Sequence, residues 1–290
     1  MMIGITGEIC SGKSTLASFL VKNFEFEAIN LNELLLQKLE LSEENKKNPS
    51  LILSILYSND FASTRECIIE TIMEHLSNNR SKKFVIFPLN NSIDIEKLSR
   101  FKQFFTVGIE CPLLIRYEFF TKKYSKFDLQ KFVELDDNSN YGISFNSDIR
   151  KCLSNCKKIF SYKRPEEFFD QIKSFSWTNY ELIRPNWDTY FISLCELSSQ
   201  RSNCIRRSIG AVLVKNLRII STGYNGAPFG AKNCFEGGCP RCYSDVKSGK
   251  NLEECICIHA EENALLEAGR SKALGSTLYT SYFQIGRAHV

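Results

Sequence analysis

Residues 257–269 read CIHAEENALLEAG, and this stretch decides how the second half of the chain is interpreted. The pattern predicts a helix from about His259 to Arg270. At its start, His259 can donate a ring nitrogen to zinc. Glu261 is too close in sequence to be needed as a second ligand, so it is a candidate general acid/base. An isolated His-Ala-Glu is also found at ordinary polar helix starts. The residues around it are therefore needed to distinguish a zinc site from such a helix start.

Half of the twelve cysteines lie just before this helix, within 54 residues: Cys204, Cys234, Cys239, Cys242, Cys255 and Cys257. In a reducing compartment such clustering indicates metal binding rather than disulfides. A close Cys-x2-Cys pair with further thiolates is typical of a closed, tetrahedral structural zinc. The other six cysteines are scattered, and most are predicted to be buried thiols.

Regular elements flank the cysteine-rich stretch. The sequence predicts an amphipathic helix at 187–199, strands at 209–215 and 217–224, and a third strand that begins at 277–280. The amino-terminal half differs, because predicted strands at 2–6, 84–89 and 104–109 alternate with helices such as 13–22, 31–41 and 61–76. Alternation of this kind predicts a parallel sheet covered by helices. The boundary between the two domains is placed near residue 183.

The first strand is followed by Gly7-Glu-Ile-Cys-Ser-Gly12-Lys13-Ser14, which matches the phosphate-loop pattern Gly-x4-Gly-Lys-Ser/Thr. Its glycines let backbone N–H groups close around phosphates, Lys13 supplies a charge, and the Ser14 hydroxyl can hold Mg²⁺. The alternative is a structural turn. The domain resembles dephospho-coenzyme A kinases and nucleoside monophosphate kinases, in which a carboxylate usually ends the second of these strands. Ile86 and Phe87 stand there instead, so we predict ATP/Mg²⁺ binding without phosphoryl transfer.

Several blocks of the second half occur in the order found in deoxycytidylate (dCMP) deaminases, which form dUMP, the precursor of dTMP. The blocks are Arg184-Pro-Asn-Trp187, Gln200-Arg-Ser-Asn-Cys204, Ile209-Gly-Ala-Val212, Gly223-Tyr-Asn-Gly226 and His259-Ala-Glu-Glu-Asn-Ala264. Residues 233–242 resemble the fungal form, in which a P-loop-like domain precedes the deaminase. The resemblance implies an α/β protein with a P-loop parallel-sheet domain at 1–183 and a cytidine-deaminase-like α/β/α domain at 184–283, here incomplete.

The resemblance also implies residue roles. His259 would be a catalytic zinc ligand, Glu261 the proton shuttle, and Asn225 a hydrogen-bond partner of the sugar, although Asn-Gly is also a plain turn. For the structural zinc it favours Cys204, Cys234, Cys239 and Cys255, with Cys242 and Cys257 as alternatives. Charge alone nominates Arg201, Arg206 and Arg207 for the 5′-phosphate, but a solvated helix end explains them nearly as well. Family members are often homo-oligomers regulated by dCTP and dTTP.

The third strand is expected to run directly into Pro-Cys-x-x-Cys, whose thiolates complete the catalytic zinc site. The chain instead reads QIGRAHV over 284–290. Those residues could be encoded by a sequencing-adapter sequence preceded by the first base of a proline codon. The tail is therefore predicted to be an artefact, with a genuine divergent terminus as the alternative, and His289 is not a ligand candidate. This chain is predicted to be inactive, whereas the complete gene product is expected to be active.

Charge and composition narrow the choice of substrate and location. The net charge is +4 over 290 residues, with 24 Lys and Arg against 24 Asp and Glu in 1–183 and 13 against 9 in 184–290. This balance favours a small nucleotide over a polynucleotide and argues against a deaminase acting on tRNA or DNA. No secretory signal or apolar run of membrane-spanning length occurs, which predicts a cytoplasmic location, with the nucleus as the alternative. The second hypothesis is a nucleotide kinase or nucleotide-sensing regulator with a degenerate deaminase domain.

Overall fold

The computed structural model describes residues 1–39, 55, 61–124, 128–142, 147–244, 247 and 250–282. The predicted tail at 284–290 and the end of the predicted helix at 31–41 lie outside these residues. Contacts between Cα atoms divide the chain into two compact units, Met1–Ile183 and a second unit that begins at Arg184. Within the described residues, no helix is both long and apolar enough to cross a membrane.

The first unit contains a five-stranded parallel sheet. Its strands are β1 (Met2–Gly7), β2 (Glu27–Asn30), β3 (Phe84–Phe87), β4 (Phe104–Glu110) and β5 (Lys158–Ser161), in the order β2-β3-β1-β4-β5. The described helices of the unit are α1 (Lys13–Phe24), α2 (Leu31–Lys38), α3 (Ala62–Asn78), α4 (Ser92–Leu98), α5 (Leu113–Lys123), α6 (Leu129–Tyr141), α7 (Ile149–Ser154) and α8 (Pro165–Ser174). The predicted parallel-sheet α/β class is thereby confirmed.

Both faces of the central strands β1, β3 and β4 are buried, whereas the edge strands β2 and β5 are partly exposed. Alternate residues of β1 enter different cores: Ile3 and Ile5 pack with α1 and α8, whereas Met2 packs with α2 and α3. This explains the nearly continuous apolar strands, since a parallel sheet has no solvent face that would require polar residues. The predicted strand at 84–89 ends earlier, at Phe87, because Pro88 has no N–H to donate to a neighbouring strand.

The second unit is a three-layered α/β/α arrangement. Its antiparallel sheet has the order β7-β6-β8, with β6 at Gly210–Lys215, β7 at Arg218–Tyr224 and β8 at Thr277–Thr280. Helix α9 (Trp187–Ser199) packs Phe191 and Cys195 on Val212 and Val214. Helix α10 (Ala260–Ala273) packs Ala260 and Ala264 on Ala211, which belongs to the opposite face of β6.

The two ends of α10 differ from the prediction. The helix starts at Ala260, with His259 as its N-cap, and extends to Ala273 rather than ending at Arg270. A break lies inside it, because Gly269 adopts φ +68°, a left-handed conformation that glycine tolerates.

Candidate functional site

The amino-terminal end of α10 holds the predicted His259 and Glu261. His259 is exposed, and Glu261, in the first helical turn, is half-buried. The Thr280 hydroxyl at the end of β8 donates to Glu261 Oε1 over 3.3 Å. The helix start and the end of the neighbouring strand therefore meet at this carboxylate, a relationship that the sequence pattern did not predict.

The segment before α10 is fixed to the segment after β7. Gly226 and Ile258 exchange backbone hydrogen bonds, with Gly226 N donating over 3.2 Å and Ile258 N donating over 2.9 Å. Asn263 of α10 donates from Nδ2 to the carbonyl of Tyr224 over 2.7 Å. These contacts place His259 next to Tyr224-Asn-Gly226, which forms the end of β7 and a bridge to Ile258 rather than a turn. The structure therefore brings two of the predicted blocks together.

Asn225 is buried and already bonded to its own scaffold. Its Oδ1 accepts the N–H of Ile209 over 2.8 Å, and its Nδ2 donates to the carbonyl of Arg207 over 2.9 Å. The amide thus ties the loop before β6 to the end of β7. The predicted sugar contact remains a prediction, and any substrate would have to use the second Nδ2 hydrogen or the second Oδ1 lone pair.

The three arginines nominated for the phosphate lie in different settings. Arg206 is half-buried, and its Nη2 donates to the carbonyls of Arg241 and Ser244, so it anchors the cysteine-rich loop. Arg207 is exposed, and its guanidinium lies 4.9 Å from the centre of the Tyr282 ring. Arg201 is exposed just after α9. The geometry therefore leaves Arg201 and Arg207 better placed than Arg206 to meet a solvent-borne phosphate.

All six clustered cysteines come together in one place. Cys234, Cys239 and Cys242 are buried, and Cys204, Cys255 and Cys257 pack against them. Two groups of three have Sγ atoms within 4.8 Å of one another: Cys204 with Cys234 and Cys257, and Cys234 with Cys239 and Cys242. Soft thiolates at this spacing suit zinc. The structure does not distinguish the four ligands that the resemblance favours, because Cys204 and Cys239 belong to different groups.

Backbone N–H groups point at two of these sulfurs. Burial alone would raise the pKa of Cys239, but the N–H groups of Ile256 and Cys242 outweigh it and lower the pKa to about 7. Burial likewise opposes ionisation of Cys204, yet the N–H groups of Arg207 and Arg206 lower its pKa. N–H donation of this kind favours thiolates, the form in which cysteine binds metals.

A catalytic metal would need more ligands than His259 provides. Among the residues that the structure describes, no group of three or more metal-capable side chains includes His259. Catalytic zinc sites of zinc-dependent deaminases use one histidine and two cysteines. The described residues therefore fit a thiolate-bound structural zinc, whereas they do not by themselves form a catalytic zinc site.

The phosphate loop of the first unit joins the carboxyl end of β1 to α1, as predicted. Gly12 caps α1 in a left-handed conformation, with φ +98°. The Lys13 ammonium donates to the carbonyls of Gly7 and Glu8, over 2.7 and 2.6 Å. Ser14 is exposed at the first turn of α1. Because of desolvation on burial, the pKa of Lys13 is lowered to about 8.

A buried ion network that the sequence did not reveal lies behind this loop. Glu8 Oε2 is 3.3 Å from the Arg116 guanidinium, whose Nη2 also donates to Asp136 Oδ2 over 2.9 Å. All three side chains are almost fully buried, and burial raises the pKa of Glu8 although Arg116 opposes it. The three residues lie far apart in sequence. The one sequence signal for this network was the position of Glu8 within the phosphate-loop motif.

Known proteins resemble this chain over most of its length. The family model "Cytidine and deoxycytidylate deaminase zinc-binding region" matches residues 185–283. The chain is 33% identical to a deoxycytidylate deaminase of Schizosaccharomyces pombe, over 93% of this chain and 80% of that protein. It is 32% identical to the Saccharomyces cerevisiae deoxycytidylate deaminase, over 96% of this chain and 81% of that protein. A Mycobacterium phage D29 deoxycytidylate deaminase is 44% identical, over 34% of this chain and 80% of its own length.

Proposed function

The chain belongs to the deoxycytidylate deaminase family, and from this premise we propose that it serves the hydrolytic deamination of dCMP to dUMP and ammonia. The observation that carries the proposal is the placement of His259 and Glu261 at the start of α10, beside the segment Tyr224-Asn-Gly226. The reaction needs a proton carrier next to an activated water, and the carboxylate of Glu261, two residues after His259, supports that role.

Each residue of the site has a proposed task. Bound zinc would supply an activated water at neutral pH, and His259 would be one of its ligands. Glu261 would carry the proton from water to the ring nitrogen and then to the leaving amine, with the Thr280 hydroxyl holding its Oε1. Asn225 would fix the loop that faces the sugar, and Arg201 or Arg207 would pair with the 5′-phosphate.

The 290 residues contain no Pro-Cys-x-x-Cys. We therefore expect a polypeptide of this sequence to lack catalytic zinc and to be inactive. A chimera in which 284–290 are replaced by the segment that follows the third strand in the S. pombe relative should release ammonia from dCMP. In the same chimera, Glu261→Gln should abolish activity, whereas Glu262→Gln, an exposed neighbour, should retain it. A zinc-loaded, folded chimera without dCMP deamination would rule the proposal out.

The cysteine cluster is proposed to hold structural zinc, and the first unit to bind a nucleoside triphosphate with Mg²⁺ but not to transfer its phosphate. The second part rests on the phosphate loop together with Phe87, an apolar residue at the end of β3 where a metal-supporting carboxylate would be needed. Equal binding of ATP or dCTP by wild type and Lys13→Ala protein would count against a working loop. Homo-oligomer formation and regulation by dCTP and dTTP are proposed from the family resemblance. A cytoplasmic location is proposed as well, with the nucleus as the alternative.

A further inference from the structure

We propose that Arg150 of α7 binds a phosphate group of the nucleotide in the first unit, next to the phosphate that the phosphate loop itself holds. The proposal rests on the nucleotide binding proposed above for this loop, and it adds a residue outside the motif. It also names the ligand class, because one phosphate in the loop and a second at Arg150 require a nucleoside di- or triphosphate.

The backbone of the phosphate loop is prepared for an anion. Four of its carbonyls accept hydrogen bonds from side chains: those of Gly7, Glu8, Ile9 and Ser11. The donors are Lys13, Arg116 and Tyr162. In a trans peptide the N–H points away from the carbonyl, so the N–H groups that follow these four carbonyls are turned away from the donors. Loop N–H groups before a helix are well suited to bind phosphate oxygens.

The lysine of the motif is already engaged within the loop. The Lys13 ammonium donates to the carbonyls of Gly7 and Glu8, over 2.7 and 2.6 Å, and thereby forms part of the loop scaffold. A phosphate that lies beyond the backbone N–H groups therefore needs another cation.

Arg150 places a guanidinium at the edge of the sheet where β1 and β4 end. Its Nη2 lies 3.6 Å from Oε1 of Glu8, which follows β1, and its Nη1 lies 4.0 Å from Oε1 of Glu110, the last residue of β4. Both distances exceed hydrogen-bond length. Within the described part of the chain, this guanidinium makes ion pairs but no hydrogen bond, and its side chain is 52% exposed. Its planar fork of N–H donors is therefore available to a phosphate from solvent.

Glu8 fixes the position of Arg150 without neutralising it alone. Glu8 Oε2 lies 3.3 Å from the buried Arg116 guanidinium and accepts the Cys111 N–H over 3.3 Å, whereas Oε1 faces Arg150. The carboxylate is thus shared between two guanidinium groups. One of them is buried behind the loop, and the other is open to solvent.

Lys123 is a competing cation, because it acts electrostatically on Cys10 of the loop. Its ammonium lies 5.2 Å from the centre of the Tyr124 ring, at the end of α5. Arg150 is favoured over Lys123 because it faces a carboxylate of the loop itself and offers two parallel N–H donors.

The test is isothermal titration of the full-length protein with ATP and Mg²⁺. Arg150→Ala should raise the Kd for ATP about tenfold or more, the effect of losing charge-assisted hydrogen bonds. Lys151→Ala, which removes an exposed charge from the same helix, should leave this Kd within about twofold of wild type. The Kd for inorganic phosphate, followed by phosphorus-31 NMR, should be the same in wild type and Arg150→Ala, because the loop alone holds that ion.

Three results would overturn the role of Arg150 while leaving the loop a working phosphate site. The first is ATP binding that Lys13→Ala weakens and Arg150→Ala does not. The second is an equal loss of ATP and inorganic phosphate binding in Arg150→Ala, which would make the residue a support of the loop. The third is a loss of ATP binding in Lys123→Ala in place of Arg150→Ala. Wild-type protein that binds no ATP would instead refute the nucleotide function of the loop, and the role of Arg150 with it.

Discussion

Gly223 of β7 lies directly against the backbone of Ala260 in α10. A Cβ at Gly223 would be 2.1 Å from the Ala260 carbonyl oxygen and 2.6 Å from the Ala264 nitrogen. Both atoms belong to the backbone, so no side-chain movement could relieve the overlap. The first turn of α10, which carries Glu261, approaches the sheet closely because residue 223 has no side chain.

We therefore expect Gly223→Ala to push α10 away from β7 and to lower the free energy of unfolding by about 1–3 kcal/mol. Urea unfolding monitored by circular dichroism gives the measurement. Gly226→Ala is the matched control, since its nearest neighbours would be side-chain atoms at 3.4 Å or more. Equal stability losses in the two variants would contradict the close-packing argument.

The Arg116–Asp136 pair of the first unit gives a second prediction. Asp136→Ala leaves the buried Arg116 guanidinium with Glu8 as its one acidic partner among the residues that the structure describes. Losing one member of a buried pair costs about 3–5 kcal/mol. Glu66→Gln breaks the exposed pair with Lys97 and should change the free energy of unfolding far less, because solvent screens an exposed pair. Urea titrations of both variants test the contrast, which fails if the two losses are alike.

The sequence predicted those features of the fold that depend on local patterns. Helix 187–199 was predicted with both its observed ends from its amphipathic pattern. In the structure Phe191 and Cys195 lie on its buried face, and Asn186 caps its start by accepting the Thr189 N–H. The end of α10 was wrong by three residues, because the chain turns at Gly269 and then resumes the helix. That choice depends on the conformation of one glycine, which no hydrophobic period reveals.

The site was predictable in its components but not in their contacts. The motif identified His259 and Glu261, whereas Thr280, the partner of Glu261, is 19 residues away on another element. Clustering in sequence indicated a metal at the cysteines, but the sharing of Cys234 between two groups follows from the folded loop. Arg206 was a phosphate candidate by charge, and its bonds to Arg241 and Ser244 give it an anchoring role.

Asn225 supplies the third prediction. Asn225→Ala leaves the Ile209 N–H and the Arg207 carbonyl without their partner, which should lower the free energy of unfolding by about 1–3 kcal/mol. Asn23→Ala, which removes an exposed contact to the Phe19 carbonyl, is the control. If Asn225 acted on the sugar alone, its variant would unfold like wild type while the KM for dCMP rose in the active chimera.

The lowered pKa of Lys13 gives a prediction about pH. Its pKa is about 8 in the folded chain against 10.5 as the ordinary value, because burial disfavours the charged ammonium. Between these two pH values the unfolded chain binds the proton and the folded chain does not, so the contribution of Lys13 to stability rises with pH. The free energy of unfolding of wild type should therefore increase relative to that of Lys13→Met from pH 8 upward, as urea titrations at several pH values would show. Lys22→Met, an exposed residue in the last turn of the same helix, is the control, and a difference between wild type and Lys13→Met that stays constant over this range would contradict the burial of the charge.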